Sequence, residues 1–365
     1  MSIDFQRTPN PNPATAQQRE DVLAAPGFGQ HFTDHMVTIE WTGDVESGEG
    51  SWGTPHLQPY GPLQLDPAAA VLHYGQEIFE GLKAYRHDDG SVWTFRPESN
   101  ASRLRRSAQR LVMPEVPEEL FLASLRELVS ADQDWVPSGD GQSLYLRPFM
   151  IATESYLGVR PARRYLFCVI ASPAGSYFGT VDTVDIWLSQ DYARAGVGGT
   201  GAAKCGGNYA ASLIAQMEGE AHGCAQVLFT DPNRDHAVEE LGGMNVFFVF
   251  DDDRLVTPEL TGTILEGVTR SSIIELAEAR GMTVEQRRFT LDEWREGVRS
   301  GHLTEVFACG TAAVISPVGR LISPQEAIGP DDARPGEVTM ALREQLLGIQ
   351  TGAVEDTRGW TSRLA

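Results

Sequence analysis

Lysine is nearly missing from this chain. Among 365 residues there are two lysines, Lys83 and Lys204, and all other basic charge except histidine comes from arginine. Guanidinium keeps its proton, so arginine can carry surface charge but cannot serve chemistry that needs a deprotonated primary amine. Lys204 lies in a glycine-rich run, Gly198-Gly199-Thr200-Gly201-Ala202-Ala203-Lys204-Cys205-Gly206-Gly207-Asn208-Tyr209. An amine kept in an arginine-dominated chain and set among glycines points to a nucleophile, a candidate Schiff-base former.

Other scarcities narrow the class further. The four cysteines, Cys168, Cys205, Cys224 and Cys309, form no CxxC pair and have no histidine cluster beside them. A disulfide framework or a structural zinc site is therefore not expected. Cys168 and Cys309 sit in apolar runs and read as core, and Cys205, next to Lys204, reads as a buried spectator, with a reactive thiol the alternative. No stretch reaches the roughly 18 apolar residues of a membrane helix. Net charge is -21, which argues against nucleic acid and anionic membranes as partners. The opening MSIDFQRTPNPNPATAQQRE has neither a basic start nor an apolar core, so a cytoplasmic location is the default expectation.

What remains is an ordinary globular composition, 41% hydrophobic and 22% charged, long enough for two domains. Residues 1–30 are rich in Pro, Asn, Gln and Ala and read as an arm that leans on something else or stays mobile. Val37, Ile39 and Trp41 alternate with polar residues as in a strand. Leu82–Arg86 and Val92–Phe95 flank Asp88-Asp89-Gly90 and predict a hairpin. Residues 97–133 read as helical, followed by strands over 144–151 and 165–170. The small, turn-rich stretch 171–176 marks the candidate boundary. Beyond it we expect a strand at 184–188 and a helix from about Tyr209 to Ala221, capped by Asn208 and stopped by Gly223. A strand at 226–230, a second hairpin (246–250 and 255–257 around Asp251-Asp252-Asp253) and a helix over 268–280 follow. The division is thus an arm (1–30), a small α/β domain (31–174), a linker (175–183) and a larger domain (184–365) carrying Lys204.

A lysine alone is weak evidence, but its companions are specific. An enzyme using pyridoxal phosphate needs an amine for the aldehyde, an anion for the pyridine nitrogen, donors for phosphate and a grip on the substrate carboxylate. Glu239-Glu240, beside Gly242-Gly243, supplies carboxylates. The run Gly262-Thr263-Ile264-Leu265-Glu266-Gly267-Val268-Thr269-Arg270 enters a helix, whose first amides suit phosphate. Ala308-Cys309-Gly310-Thr311-Ala312-Ala313 offers a second anion cradle. Arg103 and Arg147 are candidate clamps for phosphate or carboxylate.

Six motifs together, FEGLKAYR (79–86), SLYLRP (143–148), GGTGAAKCGGNYAAS (198–212), EELGGMNVFF (239–248), GTILEGVTR (262–270) and EVFACGTAA (305–313), resemble those of branched-chain amino-acid aminotransferases. That family has the two-domain, fold-type IV pyridoxal phosphate architecture of D-amino acid aminotransferase (mixed α+β or α/β), with the cofactor at the domain interface. The resemblance spans about residue 30 to the end. It implies that Lys204 is the Schiff-base lysine and proton shuttle, that Tyr209 bonds the cofactor's phenolic oxygen, and that Glu240 pairs with the pyridine nitrogen. Arg103, Val268, Thr269 and Thr311 would hold the phosphate. Tyr74, Phe79, Tyr145, Arg147, Tyr177 and Ala312 would line the substrate site. Tyr74 and the loop with Leu157 and Val159 would reach across a homodimer interface. The implied reaction is transamination of leucine, isoleucine and valine with 2-oxoglutarate.

Two departures stand out. Ala313 and Ser316 replace a CxxC pair of mammalian relatives, so no thiol switch is expected there. Gly243 stands where some relatives have threonine, so a hydroxyl contact near the cofactor is missing or replaced by water. Competing readings are a nicotinamide dehydrogenase, from GxGxxG at 196–201, and a non-catalytic binding protein. The first needs its glycines tightly between strand and helix. Within the fold, a D-amino acid aminotransferase and an aminodeoxychorismate lyase-like enzyme stay open. Lys83 has no assigned role.

Overall fold

The computed structural model describes residues 3–175, 182–231, 234 and 236–365. It divides into two compact units, taken here over their described residues. The first holds Met1–Tyr177, Ala203–Gly206 and Ile349–Ala365, and the second Phe178–Ala202 and Gly207–Gly348.

The first unit is built on a ten-stranded sheet. Its path runs Gln6–Arg7, His56–Pro59, His35–Asp44, Arg164–Ala174, Ser143–Ala152, Leu82–Arg86, Val92–Phe95 and Thr361–Arg363. Glu77–Phe79 pairs antiparallel with Ser143–Ala152 off this path. Inside Ser143–Ala152, buried residues alternate with half-buried ones over Leu144–Ala152, as a sheet with one face on a core requires. Helices Pro97–Arg110 and Glu118–Ala131 bring Leu104, Phe121 and Leu125 into that core. Between them the chain turns at Val112, a non-glycine residue at φ 52, so the single helical stretch expected over 97–133 is two helices.

Of the two alternatives for residues 1–30, the structure has the arm leaning on this unit: Phe5 is buried, Gln6–Arg7 pairs with His56–Leu57, and helix Ala16–Ala24 is closed by a Thr15/Gln18 capping box. Two expectations change here. The stretch 171–174 is not a boundary but the last four residues of strand Arg164–Ala174, since small residues fit the strand's buried end. Residues 203–206 and 349–365 pack with the first unit, whereas the sequence reading ran the second domain unbroken from 184 to 365. Ala203 and Cys205 join the first core, and Thr361–Arg363 adds an edge strand to Val92–Phe95.

The second unit carries a nine-stranded mixed sheet. Its path runs Ala237–Leu241, Gln226–Asp231, Val184–Leu188, Val314–Ile322, Leu303–Gly310, Asn245–Phe250, Arg254–Thr257 and Thr283–Gln286. Val184–Leu188 pairs parallel with both neighbours, and Asn245–Phe250 pairs antiparallel with both of its own. Phe248 stacks on Phe289 at 3.9 Å and meets Trp294 edge-on at 4.9 Å, the aromatic centre of this core. Among the described residues no helix is long and apolar enough to cross a membrane.

The helix expected from Tyr209 starts earlier, at Gly206. Asn208 is not its cap: its side chain bonds Thr200, accepting from the hydroxyl at 2.7 Å and donating to the carbonyl at 2.9 Å. The Glu77 carboxylate accepts the Gly206 N–H instead, placing an anion where the helix exposes its first amides.

Candidate active site

In the first unit the backbone of Lys204 is fixed on both sides. Its N–H donates to Ser107 Oγ at 2.9 Å, and its carbonyl accepts from the Phe79 N–H at 3.0 Å. Its Nζ stands 4.8 Å from the centre of the Phe79 ring. Burial, with the nearby charge of Arg103, lowers the amine to about 8; Glu80 and Tyr145 pull the other way, and Arg147 adds to the lowering. Desolvation disfavours the ammonium, and neighbouring cations disfavour it further.

Around the amine lies a buried ion pair. Arg103 Nε and one terminal nitrogen each donate to Glu80 at 2.8 Å, and Asn100 donates to Glu80 Oε2 at 2.8 Å. Glu80 is 0% exposed and Arg103 4%. Burial pushes the Glu80 carboxyl up, but Arg103, Lys204 and Asn100 together hold it below its ordinary value. The sequence reading picked Arg103 and passed over Glu80, although Glu80 stands inside the FEGLKAYR motif.

Arg147 faces the two predicted aromatics. Its guanidinium lies 4.8 Å from the Phe79 ring and 5.3 Å from the Tyr145 ring, and it donates to the Tyr145 hydroxyl at 3.2 Å. Its Nε is buried and has no hydrogen-bond partner, an arrangement that suits an anionic ligand. Burial raises the Glu77 carboxyl, while the Gly206 amide and the charge of Arg147 oppose that rise. Tyr74, Leu157 and Val159 form an exposed patch, 42%, 64% and 88% exposed, in which the Tyr74 hydroxyl donates to the Leu157 carbonyl at 2.6 Å. Tyr177 lies outside the described residues.

In the second unit Glu240 sits on strand Ala237–Leu241, every residue of which is buried. Both adjacent glutamates are therefore buried strand residues. Glu240 forms a buried ion pair with Arg194 and accepts from the Leu265 N–H at 2.8 Å. Asn245 approaches its second oxygen at 3.5 Å. Arg194, another residue the sequence reading missed, also donates to the carbonyls of Gly201 at 3.1 Å and Thr263 at 2.6 Å. The glycine run is thus tied to the strand–loop that carries Thr263. A Cβ on Gly201 would lie 2.3 Å from the Thr263 carbonyl oxygen, so two backbones meet where no side chain fits.

Helix Val268–Ala279 begins after Gly267 with no side-chain cap, leaving the first amides, those of Val268 and Thr269, to a ligand or solvent. Thr311 and Ala312 lie in the turn between Leu303–Gly310 and Val314–Ile322. The turn leads into Val314 at φ 62, a costly conformation for a β-branched residue and one concentrated at functional turns. Tyr209 lies on helix Gly206–Ala221 beside Gly243, where an added Cβ would stand 3.6 Å from the ring. Ala313 and Ser316 are buried. The GxGxxG segment fails the dinucleotide pattern: residues 189–195 separate strand Val184–Leu188 from Gly196, and the next helix begins at Gly206.

Comparison with known proteins gives the class of the chain. The family model described as amino-transferase class IV matches residues 77–321. The branched-chain-amino-acid aminotransferase of Mycolicibacterium smegmatis is 55% identical, with 99% of this chain and 98% of that protein covered. The one from Mycobacterium tuberculosis strain CDC 1551 is 54% identical over 97% and 96%. Among solved structures, Escherichia coli branched-chain amino acid aminotransferase superposes with a TM-score of 0.73 at 28% identity, covering 91% of this chain and 99% of that one. The Thermobaculum terrenum branched-chain amino acid aminotransferase in its PLP-form gives 0.73 at 25% identity over 92% and 100%. The chain belongs to the class IV aminotransferases, in their branched-chain-amino-acid group.

Proposed function

We propose that this protein uses pyridoxal 5'-phosphate to transfer the amino group of leucine, isoleucine or valine to 2-oxoglutarate, giving the branched-chain 2-oxo acid and L-glutamate. The observation that carries the reading is the buried Lys204 amine, fixed at its backbone by Ser107 and Phe79, set 4.8 Å from the centre of the Phe79 ring, and lowered to about 8 by burial and by Arg103 and Arg147. Such an amine is partly neutral near physiological pH and can attack an aldehyde, whereas an ordinary lysine is almost wholly protonated there. A homodimer and a cytoplasmic location are proposed with it, the dimer because Tyr74, Leu157 and Val159 are large apolar residues left exposed.

The residues present fit the cofactor. A depressed amine suits its aldehyde, a buried carboxylate its ring nitrogen, and an uncapped helix N-terminus its phosphate. When bound, the cofactor supplies an electron sink for the carbanion at the substrate Cα. Lys204 would anchor it, and the Lys204 Nζ would hold and move the proton at the substrate Cα. Glu240, oriented by Arg194, would hold the ring nitrogen, and Tyr209 the phenolic oxygen. Arg103, Thr311 and the amides of Val268 and Thr269 would hold the phosphate. Phe79, Tyr145, Tyr177 and Ala312 contact the substrate, with Leu157 and Val159 supplied by the second subunit. Arg147, with Tyr74, binds the second carboxylate of glutamate.

The test is a visible spectrum of the purified protein. We expect a yellow chromophore that borohydride reduction fixes to Lys204, and activity on leucine, isoleucine and valine with 2-oxoglutarate. A colourless protein that takes up no pyridoxal phosphate, or one that prefers D-alanine, would overturn the assignment.

A further inference from the structure

Leu157 and Val159 are exposed, yet the loop that bears them is closely braced. Its base is held by the bridge between Ser155 and Ala69 and by the Ala162 N–H, which donates to Gln76 Oε1 at 3.2 Å. Its two ends are drawn together by one carboxylate. Glu154 accepts from both terminal nitrogens of Arg160, at 2.8 and 3.0 Å, and from the Arg163 N–H at 2.6 Å. The Arg160 guanidinium lies over the Tyr156 ring, 4.0 Å from its centre, and also donates to the Pro161 carbonyl at 2.8 Å. The Tyr156 ring also covers Gly158 so closely that a Cβ there would stand 2.2 Å from ring atoms. Tyr74 ties down the crest through the Leu157 carbonyl.

A surface loop whose tip is apolar loses contacts or pays entropy whenever it must order on ligand binding. Here the ordering is built in beforehand. The planar fork of Arg160 is the piece that makes it possible, because it satisfies a carboxylate edge-on while stacking face-on upon an aromatic ring. The Glu154 and Arg160 side chains are 17% and 29% exposed, partly shielded from solvent screening.

We propose that Glu154 and Arg160 are positioning residues that lock residues 156–159 into one arch, so that Leu157 and Val159 form a rigid apolar wall selecting branched side chains. The proposal rests on the reading above in which those two side chains contact substrate. Glu154 and Arg160 touch no reacting atom. Their effect falls chiefly on the apolar amino acid, through the two tip side chains, with a smaller one on glutamate through the Tyr74 hydroxyl bonded to the Leu157 carbonyl.

The experiment is a double-mutant comparison on the holoenzyme. In the otherwise unaltered protein, Arg160→Ala raises the leucine KM roughly 5- to 10-fold, as partial loss of an apolar contact does, with kcat changed less than about two-fold and the glutamate KM raised clearly less than that of leucine. In a Leu157→Ala/Val159→Ala background the same replacement changes the leucine KM less than about two-fold, because coupled residues do not add. Glu154→Gln, which keeps the side chain's size, serves as the second variant if Arg160→Ala fails to fold, and the same split is expected. If the Leu157→Ala/Val159→Ala protein binds leucine as well as the parent, the substrate-contact reading fails. If that protein is impaired but Arg160→Ala is harmless, or acts equally in both backgrounds or equally on glutamate, the positioning proposal alone is overturned.

Discussion

Arg103 grips Glu80 through two bonds of 2.8 Å each, and this buried pair stands next to the amine of Lys204. The two charges act on Lys204 in opposite directions: Arg103 disfavours the ammonium and Glu80 favours it. The proton affinity of the buried Lys204 amine is therefore balanced by residues far away in sequence, not by the glycines around it.

The pH dependence of cofactor uptake follows. Lys204 loses its proton near 8, so the rate at which apoenzyme captures pyridoxal phosphate should climb through pH 8 and level off above it. Glu80→Gln removes a group that favours the ammonium, and the inflection should move to lower pH. An inflection near 10, where ordinary lysines titrate, would contradict the burial argument. Folding of the apoenzyme responds with a definite sign. The folded amine is depressed relative to the unfolded one, so between about 8 and 10.5 the unfolded chain binds more protons and stability rises with pH.

Arg147→Ala should separate the two half-reactions. The guanidinium holds a buried Nε without a partner between two aromatic rings. A charge-assisted bond to the second carboxylate of glutamate contributes about 2–3 kcal/mol, so kcat/KM for glutamate should fall roughly 30- to 150-fold. The loss for leucine, which lacks that carboxylate, should stay under about ten-fold. Equal losses measured by single-turnover kinetics would remove Arg147 from its proposed role.

Glu240→Gln tests the second unit. Arg194 is buried against this carboxylate and the carbonyls of Gly201 and Thr263. Removing one partner of a buried pair costs about 3–5 kcal/mol, because the remaining charge is left uncompensated. We expect the urea midpoint to drop accordingly and kcat to fall by about 100-fold or more, the scale of losing a preorganised electrostatic contact. A stable variant with near-native kcat would show that Glu240 does not serve the ring nitrogen.

Local signals carried much of this structure, and distant ones did not. The hairpin Leu82–Arg86/Val92–Phe95 falls where the alternation and Gly90, at φ 84, put it. Gly223 and Gly281, at φ 74 and 86, lie just beyond helices Gly206–Ala221 and Val268–Ala279. Lys204 and Arg147 stand out in the sequence as charged residues in settings that charge does not ordinarily choose, whereas only the motif resemblance separates Glu240 from its neighbour Glu239. Asn208 was misjudged because its local capping geometry lost to a bond with Thr200, eight residues earlier. Glu80 was passed over because its partner lies 23 residues away on another element. Arg194 stands four residues before the glycine run begins at Gly198, and nothing in its own neighbourhood announces that it bonds Thr263, 69 residues later.

Gly201→Ala examines the tie between the glycine run and the Thr263 segment. The added methyl would meet the Thr263 backbone at 2.3–2.7 Å, and neither backbone can rotate aside as a side chain could. Overpacking of this kind costs about 1–3 kcal/mol, and here it would also press apart the two carbonyls that Arg194 bridges. We expect a lower thermal midpoint together with weaker cofactor retention on dialysis. Gly196→Ala is the control: nothing lies within 4 Å of its Cβ position and its φ is not positive. It should leave both measurements unchanged. If the two variants behave alike, the close backbone approach at Gly201 does not set the shape of the run, and the spacing of its glycines needs another physical cause.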